Sequence, residues 1–136
     1  MERKTVHLVF TCSGAADVGE LTDRAARLLR QEGVAAMSCL ASVGALDGDI
    51  LFNIEMADCV LVLDGCPKAC ARRTFDRAGV HRYLHLDASQ AGLQKGRSPV
   101  TQENIRILAQ KAAEILAASP MPSPSKSIGV ISTIDN

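Results

Sequence analysis

The chain has 136 residues, 47% of them hydrophobic, with 15 basic and 15 acidic side chains that cancel. That length suits one domain with a real core, and the zero net charge argues against nucleic acid, which needs a basic surface excess. Only 3% of residues are aromatic, no apolar run approaches a membrane span, and Met1-Glu2-Arg3-Lys4 leads into a strand rather than a signal-peptide core; a cytoplasmic, non-membrane protein is expected.

Thr5-Val6-His7-Leu8-Val9-Phe10 reads as a first strand that ends at Thr11-Cys12-Ser13-Gly14. From Ala15 to Glu32 the period is helical: Val18, Leu21, Ala25, Leu28 and Leu29 form one stripe against Asp17, Glu20, Asp23, Arg24 and Arg27. Gly33 is a C-cap candidate. Val34 to Leu40 is a weaker second strand that delivers Cys39, Gly44 to Gly48 a loop, and Ile50 to Ala57 a short helix.

Cys59 to Leu63 is the third strand, and its run Val60-Leu61-Val62-Leu63 has the composition of a fully buried parallel strand. Asp64-Gly65 breaks it. Pro67 suits the first position of a helix, which places Cys66 at the N-cap and Cys70 one turn later on the same face. The positive end of that helix, with Lys68, Arg72 and Arg73 nearby, favours thiolate over thiol. The helix is expected to reach Ala78, capped by Gly79, before a fourth strand at Tyr83 to Leu86. Gly92 to Pro99 is a loop. Thr101, Glu103 and Asn104 open a last helix to Ala118, with Ile105, Leu108, Ala112, Ile115 and Leu116 buried.

Alternating strands and helices imply an α/β fold: a single three-layer domain around a parallel sheet. Four strands in a flavodoxin-like order, the first central between the second and third, fit right-handed crossovers. Residues 1–118 form this domain. Residues 119–136 begin with the linker-like Ser119-Pro120-Met121-Pro122-Ser123-Pro124-Ser125 and close on Ile128-Gly129-Val130-Ile131. Disorder or a fifth, edge strand are the two expectations for that tail.

The five cysteines, in a reducing compartment, point to metal, redox or catalytic chemistry rather than disulfides. Cys12, Cys39 and Cys66 each follow a different strand, and so lie at the carboxyl edge where open α/β sheets bind ligands. Cys70 joins them through the helix turn. Four thiols at one edge match the tetrahedral preference of zinc, and the nearby basic residues would offset the excess negative charge. Cys59 begins its strand on the opposite edge and is expected to be a buried core residue.

Two motifs fail on inspection. Cys66, Cys70, His81 and His85 imitate zinc-finger spacing, but the elements are reversed, so His81 and His85 are expected to be ordinary loop and strand residues. Val9-Phe10-Thr11-Cys12-Ser13-Gly14 resembles a phosphatase nucleophile loop, yet Val18 stands where the oxyanion-holding Arg should be. Gly14 and Gly19 lack dinucleotide-fingerprint spacing.

The segments Cys12-Ser13-Gly14-Ala15-Ala16-Asp17-Val18-Gly19, Met37-Ser38-Cys39-Leu40-Ala41 and Asp64-Gly65-Cys66-Pro67-Lys68-Ala69-Cys70 resemble the DGC domain proteins, small bacterial and archaeal proteins named for that tripeptide. The likeness covers residues 5–117. It implies zinc binding through four cysteines, which map onto Cys12, Cys39, Cys66 and Cys70.

The leading expectation is therefore a protein that holds one Zn2+ through these four thiolates, with a metal ion as partner and neither nucleic acid nor membrane. Two alternatives stand beside it. One is a thiol redox or thiol-transfer enzyme in which Cys66 or Cys70 attacks and Cys12 or Cys39 resolves. The other is an iron–sulfur cluster or another thiophilic metal.

Overall fold

The structure is a computed structural model that describes residues 5–118. Within them the order is β1 (His7–Thr11), α1 (Asp17–Gln31), β2 (Ala36–Met37), α2 (Leu40–Gly44), α3 (Gly48–Met56), β3 (Cys59–Asp64), α4 (Cys70–Arg77), β4 (Leu84–Asp87) and α5 (Gln102–Ala118), with a 3-10 turn at Ala88–Ala91. The strands pair in parallel throughout, in the order β2-β1-β3-β4. The α/β class, the three layers and the central position of the first strand are as the sequence implies. The closing Ile128–Ile131 lies outside the described residues.

Alternation along the strands divides the core between two faces. Val9, Cys59, Leu61, Leu63 and Leu86 pack against α1 and α5 on one side. Leu8, Phe10, Val60 and Val62 pack on the other against Val43, Ile54, Ala71 and Phe75 from α2, α3 and α4. In α1 the buried stripe of Val18, Leu21, Ala25, Ala26 and Leu29 leaves its charges outside, where Arg27 pairs with Asp23 at 2.7 Å and Arg24 with Glu20 at 3.3 Å. Gly33, at φ 73°, ends the helix. Its neighbour Val34 donates back to the Leu29 carbonyl at 2.9 Å. Among the described residues no helix is long and apolar enough to cross a membrane.

Three local expectations need correction. The second strand is only Ala36–Met37, and the chain then turns into α2 at Leu40–Gly44, part of which was expected to be strand or loop. Asp47 caps α3 by accepting from the Asp49 amide at 2.9 Å, so that helix starts at Gly48. The helix after β3 starts at Cys70 rather than at Pro67. Its N-cap, Ala69, is in the left-handed region at φ 51°, which prevents Pro67 to Ala69 from continuing it. Cys66 and Cys70 are therefore not one turn apart on a helix face.

Candidate metal centre

β1 and β3 lie side by side, and their carboxyl-end loops leave for opposite faces of the sheet: β1 feeds α1, and β3 feeds α4. This is the switch point at which open parallel sheets form a crevice. The Cys12 amide donates to the Leu63 carbonyl at 3.0 Å, which carries the β1–β3 ladder one step further and fixes where Cys12 emerges.

Two glycines let the loops close on each other. A Cβ on Gly65 would stand 2.7 Å from the carbonyl of Val18, and one on Gly19 would stand 2.5 Å from the carbonyl oxygen of Gly14. Backbone touches backbone at both places, which only glycine permits. The result is a cavity of about 410 Å3 lined by Cys12, Cys66 and Cys70 together with Asp64 and Lys95. Lys95 is brought there by its neighbour: the Gly96 amide donates to the Asp17 carboxylate at 2.9 Å, and that bond holds the Asp17 carboxyl below its ordinary range.

Cys12 also lines a second, open crevice of about 900 Å3, on which Cys39 stands with Ser13, Ser38, Arg27 and Arg30. The four cysteines named from sequence thus divide, three around one cavity and Cys39 across the other, with Cys12 common to both. Cys39 is exposed and is the N-cap residue of α2. The amide of Ser42, then its hydroxyl, stabilise the thiolate and hold the Cys39 thiol below its ordinary range. Cys12 Sγ lies 3.6 Å from the Thr22 hydroxyl, whose own proton goes to the Gly19 carbonyl at 2.7 Å. The Thr22 oxygen is therefore left to accept from a Cys12 thiol. Past Cys12 the loop is pinned to α1, where the Ser13 hydroxyl donates to Asp23 at 2.9 Å and also meets the Thr11 hydroxyl.

Cys59 is buried at the start of β3, only 4% exposed, and burial pushes its thiol up. It stands apart from the other four, at the far end of the strand.

A feature not legible in the sequence lies beneath the cavity. Asp64 is the last residue of β3 and is 1% exposed. Its carboxylate accepts from the amides of Ala71 at 2.8 Å and Arg72 at 3.0 Å, the first turn of α4. It also meets His85 Nε2, from β4, at 2.9 Å. Asp64 thus does the capping work expected of Cys66, and His85 is a partner in the site rather than an ordinary strand residue. One signal was available: an Asp closing a fully buried strand must find partners, and its spacing from Val60 and Val62 aims it at the face α4 covers.

Among the described residues, no group of three His, Cys, Asp or Glu side chains is placed closely enough to hold a metal ion. Three thiols, a donor type that zinc prefers, line this single cavity together with Lys95.

The DGC domain family matches over residues 8–112. The chain belongs to that family. Among curated proteins it is similar to the anaerobic and virulence modulator AnvM of Pseudomonas aeruginosa, at 38% identity over 91 residues, 65% of this chain and 67% of that protein. No solved structure matches. In this DGC domain the eponymous tripeptide divides three tasks: Asp64 anchors α4, Gly65 allows the α1 backbone to approach, and Cys66 presents sulfur to the cavity.

Proposed function

We propose that this protein binds one thiophilic metal ion, zinc foremost, through Cys12, Cys66 and Cys70, with Cys39 as the fourth thiolate, and uses it in regulation rather than as a structural staple. The observation that carries this is the single cavity shared by Cys12, Cys66 and Cys70 at the switch point of the sheet. Cys39 lines the neighbouring crevice rather than this cavity, so it is the candidate for the exchangeable fourth position. A bound zinc supplies positive charge that holds thiolates and, with one position open, a Lewis-acid face.

A structural role is the weaker explanation. Two apolar cores on the two faces of the sheet give the domain what small metal-stapled folds lack. The similar protein's description as a modulator fits a regulatory use. The thiol-redox alternative draws support from Cys39, which is exposed and has a lowered pKa.

Anaerobic purification followed by metal analysis separates these readings. About one zinc per chain is expected. Colour with stoichiometric iron would move the assignment to a cluster. Absence of both metals, with every thiol freely titrating, would favour the redox enzyme and overturn the metal assignment.

A further inference from the structure

We infer that Asp64 and His85 form a positioning pair that sets the spacing of Cys66 and Cys70. This rests on the metal-binding function proposed above. The turn between the two cysteines has little of its own to hold it. One hydrogen bond closes it, from the Ala69 amide to the Cys66 carbonyl at 3.1 Å, and Ala69 lies in the left-handed region at φ 51°. Its fixed points are at its ends: Gly65 against Val18 on one side, and the start of α4 on the other.

Asp64 caps the start of α4, one oxygen on the Ala71 amide and the other on the Arg72 amide. His85 Nε2 reaches that second oxygen at 2.9 Å. The Arg72 amide and the imidazole therefore share it, and together they fix the rotation of the carboxylate. His85 sits opposite Val62 in the β3–β4 ladder, on the strand face that Asp64 also occupies two residues on. β4 is in this way coupled to the thiol turn through a single carboxylate.

Asp64 also lines the cavity of Cys12, Cys66 and Cys70. Without His85, the Arg72 amide alone would hold that second oxygen, and the carboxylate would fix the first turn of α4, and with it Cys70, less firmly. Loss of the His85 N–H should therefore loosen the spacing of the two thiols and weaken binding. Restoration by a side chain that can donate from the same place would not follow from a merely structural role.

The test uses Co2+ as a spectroscopic probe on the full chain, comparing wild type with His85→Ala and His85→Gln. The Gln amide nitrogen can occupy the place of Nε2 and donate as it does. His85→Ala should bind Co2+ about 10–100-fold more weakly, the usual effect of removing a group that orients a ligand set, and show less sulfur-to-cobalt charge-transfer absorption per bound ion. His85→Gln should restore most of both. Equal affinity and spectra in wild type and His85→Ala would overturn the inference, as would a His85→Gln protein as impaired as His85→Ala. Should wild type bind no Co2+, the metal function fails, and the pair is read instead from alkylation rates in the metal-free chain. Altered rates at Cys66 and Cys70 in His85→Ala, restored in His85→Gln and unmatched at Cys39, would support it. Unchanged rates would overturn it.

Discussion

Gly65 and Val18 touch through their backbones: a methyl on Gly65 would stand 2.7 Å from both the carbonyl carbon and the oxygen of Val18. That contact joins the loop after β3 to the first turn of α1, and it closes the cavity that three cysteines share. Neither partner in the contact can give way as a side-chain tip would. Gly65→Ala should therefore destabilise the domain by about 1–3 kcal/mol, the range for overpacking a close-packed site, and lower its metal content. Gly48→Ala is the control. That position has nothing within 4 Å of an added Cβ and lies in a helix, so the change should be neutral or stabilising. Denaturant unfolding of the two variants checks the difference; equal stabilities would mean the loops are not packed as described.

The cysteines should separate by position. Cys59 opens β3 and Cys66 follows its end, so about 17 Å of strand lies between them. Cys59→Ala should keep wild-type metal content and cost about 1 kcal/mol in lost packing. Cys12→Ala, Cys66→Ala and Cys70→Ala should each weaken binding sharply. Cys39→Ala should weaken it less, because Cys39 stands across the second crevice. Metal titration of the five variants measures this, and loss of binding in Cys59→Ala with retention in Cys12→Ala would be incompatible with the site.

Thiol reactivity in the metal-free chain should rank Cys39 first and Cys59 last. Cys39 is exposed, with Ser42 donors favouring its thiolate; Cys59 is buried, and its thiol is pushed up by that burial. The thiolate is the species that alkylates. Time-resolved alkylation near neutral pH, read by peptide mass, should show Cys39 modified well before Cys59. The reverse order would contradict both environments.

Tyr83 offers a pH-dependent signal free of interference, since the chain has one Tyr and no Trp. Burial, and then a hydrogen bond donated to Asp76 at 2.7 Å, push its hydroxyl up to about 12 from the ordinary 10.0. The folded chain keeps the phenol proton above the pH at which the unfolded chain has lost it. Its contribution to stability is therefore fully present below pH 10 and is lost as pH rises from 10.0 to about 12. Tyrosinate absorbance should titrate near 10 in denaturant and near 12 in the folded protein. A folded midpoint near 10 would contradict the buried, Asp76-bonded placement of Tyr83.

The sheet order was legible because four hydrophobic runs alternate with amphipathic helices, and the handedness of crossovers leaves few arrangements. The stripe of Val18, Leu21, Ala25 and Leu29 in α1 and the face of α5 follow from the same periodicity. The short α2 was not legible: one turn of Leu40–Gly44 is too brief to show a period, and it ends in a glycine. Ala69 hid the true start of α4, because alanine gives no warning of a left-handed backbone. Asp64 and His85 meet only after β3 and β4 have paired. The spacing of Asp64 from Val60 and Val62 gives the face it points to, but only the pairing of β3 with β4 brings His85 to it.

Sulfur at the β1–β3 switch point is proposed to hold a metal ion. Zinc-edge X-ray absorption on protein purified without oxygen tests it most directly. A single zinc environment dominated by sulfur at about 2.3 Å is expected. A shell made of oxygen and nitrogen at shorter distance, or protein that takes up no zinc while Cys12, Cys66 and Cys70 all titrate as free thiols, would contradict it.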